Sequence, residues 1–101
     1  MSNMVKRGDF LVFQESDGKV TEFFISTMNF DLDECVRPGV NRKLVSGCIG
    51  FRIPAVFFYE QGRKYWVDRK ATDEERILFL HWMEDHGYKF NRNTLNIQIV
   101  S

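Results

Sequence analysis

Two β-favouring runs on either side of an Asp-Gly pair constrain this fold most strongly. Residues 10–13 and 20–30 are rich in Phe, Val, Leu and Ile, and the segment between them contains Asp17-Gly18. Asp and Gly tolerate the positive φ angles of a type I′ turn, so the pattern predicts a β-hairpin with a two-residue loop. Counting outward from that loop pairs Phe13 with Glu22, Val12 with Phe23, Leu11 with Phe24 and Phe10 with Ile25.

Both faces of this hairpin are apolar near its open end. One face carries Phe10, Val12, Phe23 and Ile25, and the other carries Leu11, Phe13, Val20 and Phe24. A sheet with one water-facing side alternates apolar and polar residues more cleanly. The hairpin is therefore predicted to be covered on both sides, either within its own fold or by another chain.

A second hairpin is predicted around Gln61-Gly62, between residues 53–60 and 63–68. Its pairing places Phe57 opposite Trp66 and Tyr59 opposite Lys64. These four residues share one side and would form an aromatic platform with a cation beside it. The other side carries the core candidates Val56, Phe58, Tyr65 and Val67. Residues 31–46, before this hairpin, are interpreted as a long surface connection. A further strand is predicted near residues 44–51.

A helix is predicted to begin at Thr72, since Thr72 and Glu75 fit a capping box. Gly87 is the expected C-terminal cap, and His86 is expected to interact with the helix C-terminus. The apolar arc of the helix comprises Leu78, Phe79, Leu80, Trp82 and Met83. Residues 94–100 then alternate as a half-buried strand.

These elements predict an α+β fold in one domain, residues 1–101. We expect a curved antiparallel sheet of five or six strands, built from two hairpins and a C-terminal strand, with one helix packed on it. A small, partly open barrel is the alternative.

Charge is laid out in blocks along a chain whose net charge is zero. Residues 9–34 carry a net charge of −6, residues 36–71 carry +6, and residues 72–86 carry −4. A net charge of zero argues against attraction of the whole protein to nucleic acid or to an anionic membrane. Only local charged patches could then bind such a partner. The basic block also holds aromatic residues and is predicted to be a binding face, unless it pairs with the protein's own acidic segments.

Catalytic and cofactor signals are weak, so the chain is predicted to be no enzyme and to need no cofactor. His81 and His86 are five residues apart and point to different faces of one helix. Neither a metal-ligand spacing nor a phosphate-binding loop is present. Cys35 and Cys48 are expected to be reduced thiols, and the absence of a secretory signal or spanning segment predicts a cytoplasmic protein without membrane partners.

The sequence therefore predicts a non-catalytic protein-interaction module, an accessory subunit or an inhibitor of a larger host or phage machine. The alternative is a protein that binds single-stranded nucleic acid through the same surface. Homodimerisation is the simplest way to cover the surplus apolar side of the hairpins. A third hypothesis is an enzyme that uses Cys35 or the helix face around His81. The predicted binding residues are Phe57, Tyr59, Arg63, Lys64, Trp66, Arg69 and Lys70.

Overall fold

The computed structural model describes residues 3–36, 38–39, 42–53, 56–58, 64–91, 93–94 and 96–99. The chain divides into two compact units, residues 1–70 and 71–101. The described residues confirm the α+β class. The prediction of a single domain stays a prediction.

Short antiparallel strands build the first unit. They are β1 (Met4–Val5), β2 (Phe10–Gln14), β3 (Val20–Ser26), β4 (Phe30–Asp31), β5 (Lys43–Ser46), β6 (Cys48–Arg52), β7 (Val56–Phe58), β8 (Lys64–Val67) and β9 (Arg69–Lys70), with a 3-10 helix at Leu32–Cys35. A five-stranded sheet has the order β7-β6-β3-β2-β9, and β5-β8 and β1-β4 form two-stranded sheets. Within the described ranges the five-stranded sheet is open, with β7 and β9 at its edges, and the barrel alternative is wrong.

The first hairpin has the predicted register but a different turn. Phe13 pairs with Glu22 and Phe10 with Ile25, as counted from the sequence. The loop nevertheless has three residues, because the Glu15 amide donates to the Lys19 carbonyl at 2.8 Å. A β-bulge follows the loop, since the pairing shifts between Phe13 and Gln14. The bulge adds one residue to β3 and so restores the register expected for a two-residue loop.

Both faces of this hairpin are buried within the chain. Leu11 and Phe24 belong to a core cluster with Val5, Leu32, Val45, Cys48, Tyr65 and Val67. On the other face Phe10, Val12, Phe23 and Ile25 are buried as well. Phe23 stacks on the ring of Phe51, with centroids 4.9 Å apart. This outcome removes the main reason for invoking a second copy of the chain.

The predicted pairing of the second hairpin is wrong in its described part, and the turn at Gln61-Gly62 lies outside the described residues. Phe57 of β7 pairs with Phe51 of β6, whereas Trp66 of β8 pairs with Leu44 of β5. The two strands therefore lie in different sheets. The physical cause is that the further strand predicted near residues 44–51 is two strands, β5 and β6. Each of these strands takes one arm of the expected hairpin as its partner.

Gly47 separates β5 from β6 and lets them enter different sheets. It has a φ of 70°, in the left-handed region. Its carbonyl accepts hydrogen bonds from the amide and the hydroxyl of Thr27, at 2.8 and 2.6 Å. A Cβ atom at this position would lie 2.6 Å from the sulfur of Met28. Glycine is thus required at this turn by both conformation and space.

The second unit consists of α1 (Asp73–Asp85), β10 (Tyr88–Asn91) and β11 (Asn96–Ile99). The capping box is confirmed, because the Glu75 amide donates to the Thr72 hydroxyl at 3.1 Å and the Thr72 amide donates back to the Glu75 carboxylate at 2.9 Å. Gly87, with a φ of 81°, follows the helix as predicted. The predicted C-terminal strand pairs with β10, which the sequence analysis missed, and α1 packs against β10.

The apolar arc of α1 is narrower than predicted. Phe79 and Met83 are buried, but Leu78 is 64% exposed and Ile77 is 51% exposed. The wheel argument counted Leu78 as inward-facing because it is apolar, although its angular position borders the charged side. The predicted strand count is wrong, since the described residues form one five-stranded and three two-stranded sheets and the C-terminal strand pairs with β10. The packing of the helix across the larger sheet stays a prediction.

Candidate functional site

The described members of the predicted binding set lie on three different strands. The described members are Lys64 and Trp66 on β8, Phe57 on β7, and Arg69 and Lys70 on β9, whereas Tyr59 and Arg63 lie outside the described residues. Since β7 and β8 lie in different sheets, the strand pairing from which the platform of Phe57 beside Trp66 was predicted is wrong. Lys64 and Trp66 remain together on one strand.

The β5-β8 ribbon has one buried face and one exposed face. Tyr65 and Val67 point into the core, and the ring of Tyr65 lies 5.3 Å from that of Phe24. Trp66, between them in sequence, is 40% exposed and lies directly opposite Leu44. Because side chains alternate along a strand, core packing of Tyr65 and Val67 forces Trp66 outward.

A shallow groove borders this exposed face. Its lining residues are Glu34, Cys35, Val36 and Leu44, and its volume is about 270 Å³. Val36 forms an isolated bridge with Lys43 of β5 and is 53% exposed. We call the surface formed by Leu44, Trp66 and the exposed Lys64 the ribbon face. The groove with Glu34 and Val36 borders this face at Leu44.

Sequence reasoning identified Trp66 and Lys64 but missed Val36 and Leu44. Both missed residues lie in the segment 31–46, which was interpreted as a connection. Its first part forms the 3-10 helix, capped by the Asp31 carboxylate, and its last part forms β5. The strand predicted near residues 44–51 is in fact two strands, β5 and β6, divided at Gly47, so the prediction did not place Leu44 opposite Trp66.

Two bases of the predicted basic block form ion pairs with the acidic block. Arg52 Nε lies 3.0 Å from Glu22 Oε1, on neighbouring strands of the same sheet. Lys70 Nζ lies 3.4 Å from Asp9 Oδ2 and donates to the carbonyl of Met4 at 2.9 Å. The charge blocks of the sequence thus meet within the first unit.

Two further bases, Arg42 and Arg69, contact Asp68 and Gln14. Arg42 Nε lies 3.2 Å from Asp68 Oδ1, its Nη2 donates to the Gln14 carbonyl at 2.8 Å, and its guanidinium sits 4.2 Å from the centroid of Phe13. Asp68 Oδ2 accepts the Gln14 amide at 2.8 Å, and Arg69 donates to the Gln14 side chain at 3.2 Å. These contacts give Arg42 and Arg69 a role in holding β2 against the chain that follows β8.

The two cysteines are both present as thiols and border the same core cluster. Cys35 is half-buried and its thiol donates to the carbonyl of Asp31 at 3.6 Å. Burial, with a smaller contribution from the nearby Cys35, raises the pKa of the buried Cys48 thiol to about 12. A thiol with so high a pKa is protonated at neutral pH and is a poor nucleophile.

His86 lies at the C-terminal end of α1, where its Nδ1 is 2.8 Å from the carbonyl of Trp82. Its ring stacks on the indole at a centroid distance of 4.3 Å. The predicted interaction of His86 with the helix terminus is confirmed. In the described ranges, no group of three or more His, Cys, Asp and Glu side chains is arranged to hold a metal ion.

Comparisons of this chain with protein-family models, curated proteins and solved structures gave no match. The function must therefore be argued from the chain's own geometry. In the part of the chain that the structure describes, no helix has the length and apolar character needed to cross a bilayer.

Proposed function

We propose that this chain is a non-catalytic protein-interaction module that binds its partner through the ribbon face. The observation that carries the proposal is Trp66, which stands 40% exposed directly opposite Leu44. Tryptophan is enriched among the few residues that dominate interface energies, because it offers a large rigid contact area. An exposed Trp with an adjacent Leu supplies the apolar centre that an interface needs.

The core packing beneath the ribbon supports this role. Val45, Tyr65 and Val67 are buried on the inner face, so the strands that carry Trp66 and Leu44 are held in place before a partner arrives. Preorganised residues lose less conformational entropy on binding than mobile ones do. Because the ribbon loses little entropy on binding, even a small apolar contact can give measurable affinity.

The charged residues around the ribbon face also support a protein partner. Lys64 and Glu34 place opposite charges at its edges, and the apolar residues lie between them. An apolar centre with a polar rim is the usual anatomy of a protein interface. A module of this kind would serve as an accessory subunit or an inhibitor within a larger host or phage assembly.

The ion pairs of the basic block weigh against the nucleic-acid alternative. Arg52, Lys70 and Arg42 each lie within 3.4 Å of a carboxylate oxygen of this chain. A backbone phosphate would have to displace those carboxylates before it gained the same contacts, which lowers the net gain from counterion release.

Site-specific photo-crosslinking tests the proposal. A photoreactive amino acid replaces Leu44 in one variant and the exposed Lys19 in a matched control. Extracts of the source cell are irradiated with each variant, and crosslinked chains are identified. We expect one dominant partner protein with the Leu44 variant, absent from the Lys19 variant and reduced when Trp66→Ala is added. Crosslinking that is equal at both positions, or insensitive to Trp66→Ala, would contradict the proposal.

A further inference from the structure

The exposed side of α1 carries an unusual combination of residues. Every residue on one continuous arc of about 140°, at 100° per residue, is exposed. We call this surface the helix face. Its residues are Asp73, Glu74, Ile77, Leu78, His81, Glu84 and Asp85.

Charge on the helix face is of one sign. It holds four carboxylates and neither a lysine nor an arginine. Arg76 borders the face, with its Nη2 at 3.8 Å from Asp73 Oδ1, and Asp73 itself remains 95% exposed. All four carboxylates belong to exposed residues, so they are hydrated and available to a cationic partner.

Two aliphatic side chains interrupt this acidic surface. Ile77 is 51% exposed and Leu78 is 64% exposed, so neither gains the free energy of full burial in the fold. Helix stability does not account for Ile77 either, because a β-branched residue has a lower helix propensity than Ala, Glu or Lys. Contact with a partner is a function that would use both side chains.

We propose that the helix face is a second interaction surface, and that its partner is a cationic amphipathic helix of another protein. Apolar residues of that helix would cover Ile77 and Leu78, and its Lys or Arg residues would pair with the flanking carboxylates. The 13 residues of α1 span about 20 Å, which matches a partner helix of three to four turns.

The sign of the charge decides between occupants. Nucleic acid and anionic membranes would bring phosphates against four carboxylates, which is unfavourable. A second copy of this face would bring two sets of carboxylates together at one interface, and like charges in contact oppose association. A cationic helix gains from both the charge and the aliphatic side chains.

A peptide titration tests this inference independently of the ribbon face. The probe is a fluorescein-labelled amphipathic helix of Leu and Lys, titrated by anisotropy with the full chain at low and physiological salt. A peptide of the same composition in scrambled order is the control. We expect the amphipathic peptide to bind about tenfold more tightly than the scrambled one, since its apolar side is contiguous.

Matched variants locate the binding. Leu78→Ser, and separately Glu74→Gln with Asp85→Asn, should each weaken the peptide about five- to tenfold, because each removes one component of the face. Val36→Ser removes a similarly exposed aliphatic residue that lies outside the helix face, and it should leave peptide affinity unchanged. Circular dichroism melting of each variant confirms that the fold is intact.

Three outcomes would overturn the inference. They are no saturable binding of the amphipathic peptide, equal binding of the scrambled peptide, and wild-type affinity in Leu78→Ser. Sedimentation equilibrium tests the other occupant considered, which is a second copy of this chain. A dimer of the wild-type chain that dissociates in Leu78→Ser would assign the helix face to a second copy instead.

Discussion

Two neighbouring aromatic residues on β8 illustrate how one residue step decides between burial in the core and exposure at the surface. Tyr65 is 6% exposed and belongs to the core cluster, whereas Trp66 is 40% exposed. The sequence is rich in aromatic residues. Because side chains alternate along the strand, Tyr65 lies in the core and Trp66 lies at the surface.

Alanine substitution of these two residues should separate the roles. Tyr65→Ala should lower the free energy of unfolding by about 3–5 kcal/mol, since it leaves a large cavity. Trp66→Ala should cost about 1 kcal/mol, because it removes a cross-strand pair with Leu44 and little core. Urea denaturation of both variants measures the difference, and a loss in Trp66→Ala as large as that in Tyr65→Ala would make Trp66 a core residue.

The Cys48 thiol should make stability depend on pH in the alkaline range. Its pKa in the folded chain is raised to about 12, from an ordinary value of 9.0. The unfolded chain therefore loses this proton first as pH rises, so the contribution of Cys48 is fully present below pH 9 and is lost between pH 9 and 12.

The expected slope is a loss of about 1.4 kcal/mol per pH unit within that window. Other groups titrate there too, so the informative quantity is the difference between the wild-type chain and Cys48→Ala in urea denaturation at several pH values. Parallel curves for the two proteins would show that Cys48 ionises as easily in the folded chain as in the unfolded one.

At the scale of elements, local signals were predictable and partner choice was not. The register of the β2-β3 hairpin and the capping box of α1 depend on residues close in sequence, and both were confirmed. The pairing of β8 depends on β5, about twenty residues earlier in the chain. A turn signal at Gln61-Gly62 indicates where a chain reverses, but it does not say which strands its two arms contact.

The candidate site shows the same limit. Trp66 was predicted because an aromatic residue in a basic segment stands out in the sequence. Val36 and Leu44 were missed, because Leu44 comes opposite Trp66 only through the pairing of β5 with β8, and Val36 comes beside β5 only through its bridge to Lys43. Arg69 and Lys70 were assigned to a binding face, yet they contact Gln14 and Asp9 of the same chain.

Gly47 should be the most sensitive glycine of the turns between strands. Gly47→Ala forces a positive φ on an L-residue and places a Cβ 2.6 Å from the Met28 sulfur. We expect a loss of about 2–3 kcal/mol, from strain and displacement together. Gly18→Ala is the matched control, since Gly18 also has a positive φ but a Cβ atom there would meet no other atom within 4 Å, and it should cost about 1 kcal/mol. Equal decreases in melting temperature for the two variants would show that the close approach to Met28 contributes nothing to the loss of stability at Gly47.

At the scale of the whole molecule, the balanced net charge conceals two kinds of charged surface. Part of the basic block is neutralised inside the first unit, through Arg52 with Glu22 and Lys70 with Asp9. The acidic residues of the helix face, in contrast, are exposed. Blocks of charge in a sequence therefore indicate a binding surface only after the ion pairs within the fold are taken into account.

This distribution predicts weak binding to single-stranded nucleic acid. Labelled single-stranded RNA and DNA, titrated by fluorescence anisotropy, should show no saturable binding at physiological salt and only weak binding at low salt, since Arg42, Arg52 and Lys70 already have carboxylate neighbours. Tight binding with a steep salt dependence would instead support the nucleic-acid alternative.

The central claim is that the ribbon face binds a protein partner through Trp66. The most direct test is the affinity of the crosslinked partner, purified and measured by calorimetry, for the wild-type chain, Trp66→Ala and the matched control Lys19→Ala. The account predicts affinity at least about tenfold weaker in Trp66→Ala, with its melting temperature nearly unchanged and Lys19→Ala equal to wild type. Wild-type affinity in Trp66→Ala would contradict the claim.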